Sequence, residues 1–198
     1  SKYNKNACRK LFNLKDDFFV IGIIAVLRNF KRHDRFLRMA RNIIDLNPEK
    51  FLYFVIAGDG PQRKNLNDLI NIHRLQNNVL MLGHISNVPE LLAALDIFVL
   101  TSDSGEGVPQ SVMQALFMQT AVVSTNAGSS KDLYHDKNFI LVDKDSQNEL
   151  NEACNKLINN NDLCNQYAGN SRKYVLEKFS INKMTEKILK TYMDLTEK

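Results

Sequence analysis

The sequence predicts an α/β fold: a Rossmann-like, doubly wound, mostly parallel six-stranded sheet flanked by helices, with further helices at the C-terminal end. Three observations predict it. Six short apolar runs show no alternation with polar residues, which is typical of strands buried on both faces. Helix-length amphipathic segments separate these runs, and parallel neighbours need such long, right-handed connections. After residue 142 only helical patterns follow.

The strands and helices can be placed in order along the chain. The runs predicted as strands are 18–27, 51–57, 79–82, 97–100, 121–124 and 139–142. The helices predicted from apolar residues at three-to-four spacing are 32–46, 62–72, 110–118, 148–158, 162–179 and 181–195. Asn159, Asn160 and Asn161 indicate a turn between two of these helices, and Ser180 is the predicted N-cap of the last one.

Length and composition restrict the class of protein. The chain has 198 residues, 44% hydrophobic and 24% charged, as expected for one compact soluble domain. The longest apolar run is about half of the roughly 20 residues that a membrane-spanning helix needs, and no signal-peptide pattern is visible, so we expect a cytoplasmic protein. The net charge of +4 suits an anionic ligand without requiring nucleic acid. Cys8, Cys154 and Cys164 have no metal-binding spacing and are expected to be reduced and structural.

The longest loop at the predicted carboxyl edge of the sheet, TSDSGEGVPQS, is the first candidate site, because ligands bind at this edge in doubly wound folds. Glu106 lies between two glycines, and Pro109 stands where a proline at the first helical position would be. Free N–H groups of Val108, Gln110 and Ser111 at this helix start would attract an anion such as phosphate. The loop alone leaves open an ordinary helix start that binds nothing.

The GDGP turn at residues 58–61 resembles the opening of a dinucleotide fingerprint. Arg63 stands where the third glycine would fall, and no acidic residue follows about 20 positions later, so an NAD site is not expected. Gly58 and Gly60 would either let a ligand approach the backbone closely or serve only a tight turn.

Two cations, Arg28 and Lys31, follow the first predicted strand at the same edge. They could neutralise a diphosphate through charge-assisted hydrogen bonds of roughly 1.5–3 kcal/mol each, and solvated surface charge is the alternative. No Ser/His/Asp group or close carboxylate pair indicates hydrolysis. Four histidines are scattered without metal-binding spacing: His33, His73, His84 and His135.

Taken together, these loops resemble the C-terminal, donor-binding half of a retaining GT-B glycosyltransferase of family 4 (glycosyl transferases group 1). The resemblance covers nearly the whole chain, in family order and spacing. It is carried by the segments IAVLRNFKRHD, FVIAGDGPQRKNL, NNVLMLGHISNVPELLAALDIFVLTSDSGEGVPQSVMQA and AVVSTNAGSSKDL. The resemblance implies one nucleotide-sugar-binding domain over residues 1–198, with the N-terminal acceptor domain absent. Ser1 would then mark a cut near the interdomain linker, and the last helix would reach back toward the missing half.

The family's residues for the donor diphosphate can be placed on this chain. Lys31 matches the family lysine that binds the diphosphate. The family arginine five positions earlier is replaced by Val26, so Arg28 is a local substitute. The glycine that usually follows the lysine is Arg32 here. The resemblance therefore implies that Lys31 and Arg28 act in catalysis by stabilising the diphosphate leaving group.

The remaining family positions imply a site for the sugar and the nucleoside. Glu106 matches the first of two glutamates eight positions apart and would contact the donor sugar, as a catalytic residue. The second, which holds the ribose, is Gln114, and we expect its neutral amide to hold the ribose more weakly, by about 1 kcal/mol. A glycine and a proline after this helix are replaced by Gln119 and Ala121. The other implied substrate-binding residues are Gly58, Gly60, His84, Ile85, Val108, Pro109, Gln110 and Ser111.

Three functions compete at this point. The leading one is a glycosyltransferase domain that binds a UDP- or GDP-sugar, without metal or other cofactor, for transfer to a glycan or lipid-linked acceptor in bacterial surface-glycan synthesis. The whole enzyme could then associate with the cytoplasmic face of the inner membrane, whereas this chain alone would be inactive. The alternatives are a sugar-nucleotide 2-epimerase domain, whose acid and base residues cannot be placed, and a non-catalytic nucleotide-binding or scaffold domain, favoured by Gln114.

Overall fold

The computed structural model describes residues 3–135 and 138–196, and confirms the predicted fold class. One sheet contains six parallel strands in the order β3-β2-β1-β4-β5-β6. The chain therefore winds outward from β1 in one direction and from β4 in the other. The strands are β1 (Phe19–Ile24), β2 (Leu52–Ala57), β3 (Val79–Gly83), β4 (Ile97–Leu100), β5 (Ala121–Thr125) and β6 (Ile140–Val142).

Eight helices accompany the strands within the described residues. Two of them, α1 and α4, were not predicted from the sequence; both are only seven residues long, about two turns, which is too short for a clear repeat of apolar positions. The remaining helices begin and end within about a residue of their predicted bounds. The helices are α1 (Lys5–Leu11), α2 (His33–Leu46), α3 (Arg63–Ile72), α4 (Val88–Ala94), α5 (Gln110–Phe117), α6 (Gln147–Ile158), α7 (Asn161–Phe179) and α8 (Ile181–Thr196).

The core consists of two apolar layers, one on each face of the sheet. Alternation along β1 shows the division, because Ile21 and Ile23 point into the layer under α2, α3 and α6, whereas Val20 points into the layer under α1, α4 and α5. All three side chains are fully buried. Because both faces of the sheet are covered, its strands show no alternation of apolar and polar residues, as the sequence predicted.

The first apolar run is longer than its strand. It was predicted to extend to residue 27, but β1 ends at Ile24. The next residues continue as backbone that pairs with the turn after β2: Ala25 N–H donates to Ala57 O at 3.0 Å, and Leu27 N–H donates to Asp59 O at 3.0 Å. Two loops at the carboxyl edge are therefore joined to each other.

The ends of the chain differ in how they are held. Helix α1 is tied to the sheet by Arg9, a buried side chain that bonds Asp96 at 2.7 Å and the Ala94 carbonyl at 3.1 Å. Helix α8 buries no residue. No helix in the described part of the chain has both the length and the apolar character needed to cross a membrane. Ser1, which the sequence suggested as a boundary mark, lies outside the described residues.

Candidate functional site

The candidate site lies where strand order reverses, between the carboxyl ends of β1 and β4. The connections from these two strands leave on opposite sides of the sheet, so a crevice opens between them. The loop after β1 forms a 3₁₀ turn at Asn29–Lys31, and the loop after β4 runs over residues 101–109. These two loops carry Lys31 and Glu106, respectively.

Lys31 and Glu106, predicted separately, meet in the structure. The Lys31 ammonium forms an ion pair with Glu106 Oε1, and both side chains are largely buried, with exposed fractions of 14% and 7%. The Ser102 hydroxyl donates to the same oxygen at 2.5 Å. The Lys31 ammonium also lies 5.2 Å from the centre of the Phe30 ring. A cation and a carboxylate thus face the crevice as one hydrogen-bonded group.

Backbone contacts fix the two loops relative to each other. The buried Thr101 hydroxyl lies 2.8 Å from the Lys31 carbonyl oxygen and 2.9 Å from that of Arg32. Asp103 N–H donates to the Phe30 carbonyl at 3.0 Å. The loops that carry Lys31 and Glu106 are therefore bonded to each other through residues that closely follow β4.

Arg32 adds an ionic link between the same loops. Its guanidinium bonds both carboxylate oxygens of Asp34, at 3.0 and 3.1 Å, and Asp103 at 3.0 Å. The hydrogen bond with Asp34 raises the pKa of Arg32; burial opposes that rise, and Asp103 adds to it. Arg32 is the N-cap of α2 and has a left-handed backbone, with φ of 50°. A glycine would adopt that conformation without strain.

A third loop, after β5, closes against the Glu106 loop. Gly128 has φ of 54°, and a Cβ atom there would lie 2.0 Å from the Glu106 carbonyl oxygen. Gly105, with φ of 66°, packs against the Phe30 ring at 3.3 Å from its would-be Cβ. Both glycines allow close approach of the loops that hold Glu106.

Helix α5 begins at Gln110, so Pro109 is its N-cap and not its first residue as predicted. The extended backbone of Pro109 (ψ 111°) and the absence of a side-chain cap leave the first N–H groups, including those of Gln110 and Ser111, without an intrahelical partner. Val108 precedes them and is exposed. The positive end of α5 therefore follows directly on the Glu106 loop, as an anion site requires.

Arg28 does not join Lys31 in the Glu106 ion pair. It is exposed, and it lines a cavity of about 340 Å³ beside α3, whose lining includes neither Lys31 nor Glu106. The described residues include no ion-pair partner for it. The same cavity is lined by Asn29, Arg32, His33, Asp34, Gln62, Asn65, Leu66 and Leu69.

The glycines of the GDGP turn contact protein backbone. A Cβ on Gly58 would lie 1.9 Å from the Ala25 carbonyl oxygen, and one on Gly60 would lie 2.8 Å from that of Leu27. Gln62 N–H also donates to Leu27 O at 3.0 Å. In the structure, the backbone that approaches these two glycines closely is that of the loop after β1.

The residues assigned to the nucleoside lie in two places, Gln114 on α5 and His84 with Ile85 after β3. Gln114 is exposed and, with Gln110, borders an apolar groove of about 300 Å³. His84 is exposed and Ile85 half-buried in the loop that follows β3. The apolar part of the groove is formed by Val88, Pro89, Leu92, Met113, Phe117, Met118, Val175 and Phe179, with Tyr3 at its edge.

Sequence reasoning missed the residues that hold the site together. Thr101, Ser102 and Gly128 were read only as parts of loops, and Arg32 only as a departure from the family pattern. The available signal was the position of two hydroxyl residues directly after a fully apolar strand, where buried polar groups need hydrogen-bond partners. Their partners could not be found from spacing, because Lys31 is 70 residues away from Thr101.

The comparisons with known proteins decide the family. The profile of the family described as "Glycosyl transferases group 1" matches residues 4–174, most of the chain. The chain belongs to this family. Group 1 glycosyltransferases were the family that its loops resembled, so that prediction is confirmed.

A named relative extends the comparison. The chain is 28% identical over 194 residues to the UDP-Gal:alpha-D-GlcNAc-diphosphoundecaprenol alpha-1,3-galactosyltransferase of Escherichia coli; the match covers 94% of this chain and 48% of the relative. This group 1 glycosyltransferase chain thus spans about half the length of that relative. The relative is a transferase, and these comparisons lend no support to the epimerase alternative.

Two solved structures share the fold. HepE from Anabaena, crystallised with UDP, superposes with a TM-score of 0.86 at 22% identity, over 96% of this chain and 52% of HepE. The C-terminal domain of a group 1 family protein, LpcC from Francisella tularensis, superposes with a TM-score of 0.79 at 23% identity, over 90% of this chain and 94% of that domain. The architecture is thus that of a GT-B glycosyltransferase domain.

Proposed function

We propose that this chain is the donor-binding half of a glycosyltransferase that takes a sugar from a nucleoside diphosphate sugar. The observation that carries the proposal is the Lys31–Glu106 pair at the topological switch point, directly before the free N–H groups of α5. A diphosphate needs cationic and N–H donors, and a sugar needs a fixed hydroxyl acceptor. Both kinds of group occur here within one crevice.

The proposed reaction step is electrostatic stabilisation of the leaving group. As the bond between the sugar and the diphosphate breaks, negative charge accumulates on the diphosphate, and Lys31 together with the start of α5 at Gln110 and Ser111 would stabilise it. No metal is then needed. Arg28 would contribute less than Lys31, because it is exposed, whereas Lys31 is largely buried beside Glu106. Glu106 would orient the sugar, and the transfer would retain the anomeric configuration, as the family 4 resemblance implies.

The proposed donor is a UDP-sugar. The Escherichia coli relative is named for UDP-Gal, and HepE was crystallised with UDP and with UDP-glucose. His84 and Ile85 would meet the base through the loop after β3, and Gln114 would contact the ribose. A GDP-sugar is the second candidate, separated from the first by direct binding measurements.

The acceptor and the site of action belong to the whole enzyme. The relative's name specifies a lipid-linked diphosphoundecaprenol acceptor. We extend the proposal to a glycan or lipid-linked acceptor, bound by an N-terminal half, at the cytoplasmic face of a membrane. On this proposal residues 1–198 bind the donor but do not complete a transfer alone.

Calorimetry with UDP, GDP, UDP-glucose and UDP-galactose tests the proposal. We expect Lys31→Ala to weaken UDP binding tenfold or more, because a charged phosphate contact is lost. Lys64→Ala, which removes an exposed lysine of α3, is the matched control and should leave affinity unchanged. Unchanged affinity in Lys31→Ala contradicts the diphosphate assignment, whereas a wild-type chain that binds none of the four at millimolar concentration favours the scaffold alternative.

A further inference from the structure

Ser102 is a fully buried hydroxyl residue, the second residue after the end of β4. Its hydroxyl donates to Glu106 Oε1 at 2.5 Å. A hydroxyl that bonds a carboxylate makes a short, charge-assisted hydrogen bond, stronger than a neutral one and directional. Ser102 is therefore placed to control how the Glu106 side chain lies.

The two donors to Glu106 converge on one of its oxygens. Lys31 and Ser102 both bond Oε1, and within the described chain Oε2 has no hydrogen-bond partner. Oε2 is also absent from the buried polar atoms that lack partners, so solvent reaches it. A carboxylate held at one oxygen presents the other in a fixed direction, able to accept a hydrogen bond from a ligand.

The backbone of Ser102 is held by the sheet. The carbonyl of Ser102 accepts a hydrogen bond from the Thr125 hydroxyl on β5 at 2.5 Å, and Thr125 is fully buried. The Ser102 backbone, two residues beyond β4, is thus bonded to the last residue of β5, whereas Glu106 lies further along the same loop. Through Ser102, the sheet therefore fixes the direction in which Glu106 Oε2 points.

We propose that Ser102 is a positioning residue, whose hydroxyl holds Glu106 so that Oε2 accepts a hydrogen bond from a hydroxyl of the donor sugar. This inference rests on the proposed function. It also predicts a division within the donor: Ser102 should matter for the sugar and not for the nucleoside diphosphate, which lies against Lys31 and α5. A residue that merely supported the loop would affect both parts equally.

The test compares the affinities of UDP and of the tighter-binding of UDP-glucose and UDP-galactose. In Ser102→Ala we expect the UDP-sugar to bind about tenfold more weakly and UDP to bind within twofold of wild type. Ser102→Cys keeps the volume and replaces the hydroxyl by a weak donor, so it should show the same selective loss even if the alanine variant folds poorly. Ser124→Ala removes a comparable buried hydroxyl on β5 that bonds only a backbone carbonyl, and it should change neither affinity.

A double-mutant cycle with Glu106→Ala shows whether Ser102 acts through Glu106. If it does, Ser102→Ala adds no further loss of UDP-sugar affinity once Glu106 is gone. Equal losses for UDP and UDP-sugar in the single variant, or additive losses in the cycle, would overturn the positioning role. Failure of the wild-type chain to bind UDP or either UDP-sugar would instead contradict the proposed function.

Discussion

Arg32 and Gln119 adopt left-handed backbone, with φ of 50° and 61°. The family resemblance places a glycine at both positions, and the structure gives the physical reason, since glycine tolerates this region without a Cβ penalty. At Arg32 the strain is offset by ion pairs with Asp34 and Asp103, which a glycine could not make. Compared with glycine, arginine at residue 32 has a more strained backbone but links two loops of the site through its ion pairs.

His33, the first residue of α2, is predicted to make the chain sensitive to mild acid. It is only 2% exposed, and within the described structure neither ring nitrogen makes a hydrogen bond of good geometry; a weak contact with the Ala25 backbone opposes the lowering of its pKa. Burial, with a smaller contribution from the charge of Lys31, lowers the pKa of His33 to about 4. An unfolded histidine titrates near 6.5, so the unfolded state takes up the proton first as the pH falls. The stability contributed by neutral His33 is complete above about pH 6.5 and is lost as the pH falls toward 4.

The measurement is the free energy of unfolding in urea for wild type and His33→Leu. Between pH 7 and pH 5 we expect wild type to lose about 2 kcal/mol more than the variant. Above pH 7 the difference between the two proteins should stay constant, which serves as the internal control. Parallel pH profiles from 7 to 5 would show that His33 can be protonated in the folded state.

At the scale of elements, the site depends on the junction between the loop after β4 and the loop after β5. Gly128→Ala should disrupt it, because the new Cβ would lie 2.0 Å from the Glu106 carbonyl oxygen and 2.9 Å from the Glu106 Cβ, on a residue with φ of 54°. We expect a loss of at least about 2 kcal/mol in unfolding free energy, together with weaker UDP-sugar binding.

Gly107→Ala is the matched control for that change. Gly107 lies next to Glu106, but no atom lies within 4 Å of its would-be Cβ, and its φ is outside the strained range. Its effect on stability should stay within about 0.5 kcal/mol. If both alanine variants behaved alike, contact between the two loops would not be what holds Glu106.

Most strands and helices were predictable from the sequence, and the reasons differ between strands and helices. Strands β2 and β4 are continuous apolar runs with few residues to misassign, so their predicted bounds lie within one residue of those found. Helix α1 was missed because its seven residues are mostly polar. Arg9, which bonds it to the rest of the domain, has its partner, Asp96, 87 positions later in the sequence. Pro109 was assigned to the first helical position, where proline is common, whereas it is the N-cap of α5.

At the scale of the whole molecule, the sequence predicted Lys31 and Glu106 as site candidates but did not predict that their side chains form an ion pair. Lys31 and Glu106 were assigned to separate partners, the diphosphate and the sugar, and their ion pair depends on the crossing of two loops 75 residues apart. Arg28 was predicted beside Lys31 from its sequence position alone. In the structure a 3₁₀ turn at Asn29–Lys31 follows Arg28, and of these two cations it is Lys31 that pairs with Glu106; nothing in the local pattern indicates that turn.

Helix α8 is expected to contribute nothing to the stability of this domain. Its apolar residues are exposed, among them Ile181 at 76% and Leu195 at 66%, and it buries no residue. Burial of a large apolar side chain stabilises a fold by about 1.5–3 kcal/mol, and a change of 1 kcal/mol shifts the melting temperature of a domain this size by about 2–4 °C. Truncation after Ser180 should therefore change the melting temperature by less than about 2 °C and reduce self-association, since an exposed apolar stripe is removed.

Truncation after Asn160 is the matched control, because it also removes α7. That helix buries Val175 and Ser171, and the Ser171 hydroxyl donates to the Leu116 carbonyl of α5 at 2.8 Å. We expect this shorter chain to melt many degrees lower or to fail to fold. If truncation after Ser180 alone lowered the melting temperature by 5 °C or more, α8 would pack against the domain in solution, and its apolar face would not be available to a partner half.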